Sequence, residues 1–183
     1  MVEQILERIA RGLEIRGLPY MIIGGQAVLL YGEPRLTRDV DVTLGVSPDR
    51  LSEVQDLLAA LGWEILAEAS AEFVKKTMVL PCLDPQSGVR VDFIFSFSPY
   101  ERQAIERARS VQVGNASVHF VSPEDLIVHK VIAGRPRDLE DARAILLKNP
   151  EIDLPYVEHW LAEFDRSLDE GFLARLSALR TAG

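Results

Sequence analysis

The sequence predicts a mixed α/β (α+β) fold: a small mixed β-sheet flanked by helices, followed by a C-terminal helical lobe. Three observations carry this. Short β-type runs at 18–23, 38–44 and 89–95 alternate with segments of helical period through the first two thirds of the chain. From Ser122 onward every apolar pattern is helical. No Pro/Gly/Ser-rich linker separates the two regions, so the reading is one domain over 1–183, with an α/β core at 1–121 and a helical lobe at 122–183.

Taken in order, Val2, Ile5, Leu6, Ile9 and Leu13 recur at helical spacing, and Gly17 closes that helix. Leu18 to Ile23 reads as a buried strand, broken by Gly24-Gly25, with a short helix over Gln26 to Tyr31. Glu33-Pro34-Arg35 is a loop. Arg38 to Leu44 alternates, with Val40, Val42 and Leu44 on one face and Asp39, Asp41 and Thr43 on the other. Pro48 to Leu61 is a helix capped by Ser47, opened by Pro48 and ended by Gly62. Phe73 to Leu80 and Val89 to Phe95 read as antiparallel strands joined by the turn-rich segment Asp84 to Gly88. Pro99 to Arg109 reads as helix, and short strands around Val111 and Val118 flank Gly114-Asn115. Ser122-Pro123-Glu124-Asp125 has the form of a capping box, a further helix begins near Asp138, and one or two more follow Pro155.

Composition narrows the function classes. The chain has 183 residues, 48% hydrophobic and 26% charged, which suffices for one well-buried core. No apolar run approaches the roughly 20 residues of a membrane span, and Met1-Val2-Glu3-Gln4 lacks the basic start of a signal peptide. A single cysteine, Cys82, rules out a disulfide framework and a cysteine zinc site and is expected to pack in the sheet. The expectation is a cytoplasmic protein with no membrane partner. Net charge is −8, against a chain that coats nucleic acid. Seven carboxylates and only three arginines lie between Pro150 and Gly183, so half of that net charge sits in the tail.

Several residues sit where stability alone would not put them. Asp39 and Asp41 leave the same face of a strand, about 7 Å apart along the chain, although like charges repel and strands disfavour Asp. Two hard carboxylates are what Mg²⁺ or Mn²⁺ takes beside substrate phosphates; a solvated edge-strand face fits the pair equally. Asp92 lies in the otherwise apolar run Arg90 to Phe95, where an unpaired carboxylate is expensive. If the two strands are neighbours, three carboxylates converge, enough for two metals or for one metal and a base. An ion pair with a buried arginine, or a turn cap, is the plainer reading of Asp92. Gly24-Gly25 would let a phosphate approach the backbone at a helix start, or serve only as a tight turn. The P-loop and dinucleotide fingerprints are absent.

Together, strand, Gly24-Gly25, short helix, Arg35-x-Thr37-x-Asp39-x-Asp41 and a later Asp92 resemble the nucleotidyltransferase superfamily with its DNA polymerase beta-like fold. Its signature is Gly-Gly or Gly-Ser, Asp-x-Asp and a distant third carboxylate. The block Lys130-Val131-Ile132-Ala133-Gly134-Arg135-Pro136-Arg137-Asp138-Leu139-Glu140-Asp141 is similar to that of the AbiEii/AbiGii abortive-infection toxin branch. The resemblance covers roughly Leu18 to Leu147. It implies that Asp39, Asp41 and Asp92 are metal ligands and catalytic groups, with Mg²⁺ or Mn²⁺ as cofactor. Gly24, Gly25, Arg35, Thr37, Lys130, Arg135 and Asp138 would bind the NTP, with Lys130 also catalytic. The implied reaction moves an NMP from an NTP to a hydroxyl of RNA, protein or a small molecule, with an antitoxin protein as partner if the chain is toxin-like. Two departures stand out: the second glycine position often carries Ser in the superfamily, and toxin members are usually longer. A non-catalytic nucleotide-binding or protein-interaction module on the same fold is the alternative.

From the residues themselves, Lys130 starts on the apolar face of its helix, pointing an ammonium inward toward a phosphate or a carboxylate. Asp138 and Asp141 stand in capping relation at the next helix start, and a cap is the favoured reading of Asp141. His119, His129 and His159 have no zinc spacing, and Trp160, Leu161 and Phe164 read as a core stripe.

Overall fold

The structure is a computed structural model that describes residues 1–181. The chain divides into two compact units, Met1–Gln26 with Leu36–Val121, and Ala27–Arg35 with Ser122–Gly183.

The first unit is built on seven strands: β1 (Tyr20–Ile23), β2 (Val40–Leu44), β3 (Glu64–Ile65), β4 (Val79–Asp84), β5 (Val89–Phe95), β6 (Arg109–Val113) and β7 (Ala116–Phe120). They form one mixed sheet in the order β3-β4-β5-β2-β1-β7-β6. β2 runs antiparallel to β1 and parallel to β5, and β1 runs parallel to β7. Helices α1 (Val2–Ile15) and α3 (Leu51–Leu61) supply the core. Ile5, Ile9 and Leu13 from α1 are buried together with Val54, Leu57 and Leu58 from α3. Gly12 lets these helices meet, because a Cβ there would collide with the Leu57 side chain. Alternation sends Val40, Val42 and Leu44 of β2 and Val91, Phe93 and Phe95 of β5 into the core, all 0–1% exposed. The opposite face of those two strands therefore holds Asp41 and Asp92. Cys82 is buried in β4 as expected, its thiol donating to the Val91 carbonyl at 3.3 Å.

Three expectations need correction. The segment expected as a strand from Phe73 is helical: α4 spans Ser70–Thr77 and β4 begins only at Val79. Its sequence does not alternate, Glu72 and the Lys75-Lys76 pair lie at the ends that suit a helix dipole, and Met78 stops it in the left-handed region at φ 60°. Pro48–Arg50 is a 3-10 turn ahead of α3, with Ser47 accepting the Asp49 N–H. Arg109 opens β6, and the preceding helix α5 (Pro99–Glu106) ends sooner.

The second unit contains most of α2 (Gly24–Tyr31), then α6 (Pro123–Ala133), α7 (Pro136–Lys148), α8 (Leu154–Leu168) and α9 (Phe172–Thr181). Ser122 caps α6 by accepting the Asp125 N–H at 3.1 Å. Leu126, Ile127, Val128 and Val131 of α6 are fully buried, with Ala142 and Ile145 of α7 and Val157 and Leu161 of α8. At the far end of α6, Arg175 donates to the Val131 carbonyl at 2.6 Å and takes up part of the helix's unsatisfied end. Of the expected core stripe only Leu161 is fully buried; Trp160 and Phe164 are half-buried, their rings 6.3 Å apart. Among the described residues no helix is long and apolar enough to cross a membrane.

Candidate active site

In the first unit the strand order joins what the sequence separates. Because β2 and β5 are parallel neighbours, Asp41 and Asp92 are register partners, and Val40 pairs with Val91. Asp39 precedes Val40 as Arg90 precedes Val91, so four charged residues follow one another on one face. Asp39 is exposed, whereas Asp41 and Asp92 are half-buried. The buried Gln26, in the first turn of α2, donates to the Asp39 carbonyl at 3.4 Å, tying the start of β2 to that helix. Sequence reasoning missed Gln26, and a lone amide after two glycines offered no signal.

The glycine step sits against the same carboxylates. Gly24 adopts φ +63°, and a Cβ there would fall on the Asp41 carboxyl group, 3.0 Å from its Cγ. A Cβ on Gly25 would lie 2.8 Å from the Thr37 Cβ and collide with its hydroxyl. Both glycines are therefore required by close approach, and Gly24 also by backbone conformation. What presses on this backbone is the Asp41 carboxylate and the Thr37 side chain.

Arg90 is the other residue that sequence reasoning left without a role. Its Nε donates to the Asp92 Oδ1 at 2.8 Å. That hydrogen bond raises the guanidinium pKa; partial burial opposes it, and the charges of Asp92, Asp39 and Asp41 reinforce it. The alternation Arg90-x-Asp92 on one strand face was the available signal. Asp92 thus has an ion-pair partner, but the arginine is exposed and not the buried one expected.

Among the described residues no three His, Cys, Asp or Glu side chains are gathered into a ready-made metal cage. The donor set still fits a hard cation. Mg²⁺ takes one or two carboxylates and completes its octahedron with water and phosphate oxygens, and Asp41 and Asp92 stand side by side on adjacent strands.

In the second unit, Lys130 is 6% exposed and its Nζ lies 2.8 Å from both Asp138 Oδ1 and Asp141 Oδ2. Arg35 forks onto Asp141 through Nε and Nη2, each at 3.2 Å, and Arg135 Nε reaches Asp138 at 2.6 Å. Burial alone would raise the Asp138 pKa, but the hydrogen bonds and charges of Lys130 and Arg135 hold its carboxyl below the usual range. Asp138 and Asp141 cap nothing: Arg135 occupies the N-cap of α7 and no side chain caps that helix. The favoured cap reading of Asp141 is therefore replaced by an ion-pair reading. A buried ammonium needs paired oxygens, and the i,i+3 spacing that imitates a capping box also places two carboxylates on one helix face.

Comparison with known proteins agrees with this fold. A family profile described as "Nucleotidyltransferase of unknown function (DUF6036)" matches residues 2–172. No curated protein matches the chain. Among solved structures, the crystal structure of ANT(2")-Ia in complex with adenylyl-2"-tobramycin aligns with TM-score 0.60 at 19% identity, over 90% of this chain and 97% of that one. An antigenic nucleotidyltransferase-like protein from Paracoccidioides brasiliensis aligns with TM-score 0.57 at 19% identity, over 97% and 91%. The lincosamide antibiotic adenylyltransferase LnuA, lincomycin-bound, aligns with TM-score 0.50 at 14% identity, over 73% and 89%. At these identities the likeness is one of fold.

Proposed function

Because this chain belongs to the nucleotidyltransferase family DUF6036, we propose that it transfers a nucleoside monophosphate from an NTP to an acceptor hydroxyl and releases pyrophosphate. The observation that carries this reading is the register pairing of Asp41 with Asp92, with Asp39 two residues before Asp41 and Gly24 pressed against the Asp41 carboxylate.

In the proposed reaction the acceptor oxygen attacks the α-phosphorus in line. A new O–P bond forms, the bond to the bridging oxygen breaks, and pyrophosphate leaves with the bond's electron pair. Asp92 takes the hydroxyl proton. Asp39 and Asp41, with Asp92 beside them, would hold Mg²⁺ or Mn²⁺, whose charge offsets that of the phosphates when bound. Gly24 and Gly25 let the Asp41 carboxylate and the Thr37 side chain close onto the backbone that would bind the triphosphate, and the Thr37 hydroxyl would offer a further hydrogen bond. Lys130 commits two of its three ammonium hydrogens to Asp138 and Asp141; the third, with Arg35 and Arg135, would serve phosphate oxygens. Positioning and electrostatics supply most of the rate.

A small hydroxyl-bearing molecule is the favoured acceptor. Two fold relatives are described with tobramycin and lincomycin, and a net charge of −8 attracts cations. RNA ends and protein hydroxyls are the acceptors to test against it. The Lys130-to-Asp141 block supports the finer AbiEii-like placement, which would bring an antitoxin partner.

The test is thermal shift with each of the four NTPs, with and without Mg²⁺, on wild type and on the Asp39→Asn/Asp41→Asn variant. A ligand that binds only the folded state raises its melting point. A shift that requires both metal and the aspartates supports the reading. No shift with any nucleotide refutes it.

A further inference from the structure

We propose that Arg90 is an internal counter-ion that occupies Asp92 in the metal-free protein and must leave it when a divalent cation binds, so that Arg90 sets the affinity of the carboxylate face for metal. This rests on the metal reading of Asp39, Asp41 and Asp92.

Arg90 and Asp92 lie two apart on β5, so both side chains leave the same face. The guanidinium is bonded through Nε to one carboxylate oxygen at 2.8 Å. Asp41 stands opposite Asp92 on the neighbouring strand. Without Arg90 this face would carry three negative charges and no cation from its own strands. With it the sum is −2, and one of the two Asp92 carboxylate oxygens, Oδ1, already accepts a hydrogen bond.

The latch can open. The Arg90 side chain is 49% exposed, against 20% for Asp92, so the guanidinium has water to move into while the carboxylate stays in place. A half-exposed ion pair of this kind is worth little on its own, which suits a bond that has to be exchanged. A dication offers Asp92 a stronger partner and repels the guanidinium from the same oxygen. Arg90 therefore acts as a positioning residue: it keeps the three carboxylates from repelling one another before metal arrives, at the expense of metal affinity.

The test is Mn²⁺ binding, read by the loss of free Mn²⁺ signal in electron paramagnetic resonance, on wild type, Arg90→Gln, Arg90→Lys and Asp39→Asn/Asp41→Asn. Removing one like charge from the cation's immediate surroundings should tighten binding by about tenfold in Arg90→Gln at low salt. Arg90→Lys, which keeps the charge but loses the Nε–H donor, should fall between Arg90→Gln and wild type. The gain should shrink as salt is raised. An equal or weaker Kd in Arg90→Gln, with Mn²⁺ still lost in the double aspartate variant, overturns the proposal alone. No Mn²⁺ binding by any of the proteins overturns it together with the metal reading.

Discussion

Replacing Lys130 by methionine tests the charge cluster of the second unit without emptying the space its stem fills. Lys130 is 6% exposed and bridges Asp138 and Asp141 at 2.8 Å each. Its removal leaves two buried carboxylates, 4% and 7% exposed, that have lost a shared cation. Removing one partner of a buried ion pair costs about 3–5 kcal/mol. Arg35 continues to fork onto Asp141, and Arg135, whose side chain is 78% exposed, continues to reach Asp138. Those surviving pairs place the expected loss near the lower limit, about 3 kcal/mol. For a chain of this length that is a fall in melting temperature of about 6–12 °C. Urea unfolding at pH 7, followed by circular dichroism, gives the free energy. Arg135→Gln is the control, and its solvated pair should lose less than about 1 kcal/mol. A Lys130→Met loss below about 1 kcal/mol would refute the reasoning, because it would mean that neither carboxylate depends on the ammonium.

Gly24→Ala should destabilise by about 1–2 kcal/mol from the left-handed backbone alone, and should displace Asp41, so its Mg²⁺-dependent NTP shift should also fall; a full-sized NTP shift would contradict the close approach. The depressed Asp138 pKa means that its stabilisation is fully present above the unfolded value near pH 4 and is lost as pH falls through the folded value. Wild type should therefore lose more unfolding free energy between pH 5 and pH 3 than Asp138→Asn does; parallel losses would remove Asp138 from the acid transition. Burial pushes the Cys82 thiol up to about 12, with the Asp92 charge adding to it. Iodoacetamide at pH 8 should leave Cys82 unmodified in native protein and label it in urea, as intact-mass measurement would show; fast native labelling would refute the buried placement.

What could be read from the sequence was whatever a single element decides. The alternation of Val40, Val42 and Leu44 with Asp39 and Asp41 fixes which side chains share a face, because one face is buried and the period is two. Gly17 and Gly62 end their helices for local reasons, both with positive φ. Partners across the chain were a different matter. That Asp92 stands beside Asp41 depends on β5 inserting between β4 and β2, a long-range pairing that no window of sequence contains. Residues 73–77 were misread because a short apolar pair, Phe73-Val74, suits strand and helix alike; in the structure Val74 is buried and Lys76, two residues on, is exposed, which breaks a strand's period of two. Asp141 was misread because a capping box and an inward-facing carboxylate pair share the same spacing, and the choice between them belonged to Lys130, eleven residues earlier.

The residues that looked wrong for stability are the ones whose explanation lies outside their own element. Each has a definite neighbour: Gly24 the carboxylate of Asp41, Asp92 the guanidinium of Arg90, Lys130 the pair Asp138 and Asp141. Their charges also differ by unit. Asp39, Asp41 and Asp92 with Arg90 sum to −2, whereas Lys130, Arg35 and Arg135 with Asp138 and Asp141 sum to +1. A negative face calls for a cation and a positive cluster for an anion. If the chain only needed to fold, neutral pairing within each group would have served it better, since unbalanced charge destabilises the compact state. The surplus charge within each group is the part of this sequence that folding alone does not explain.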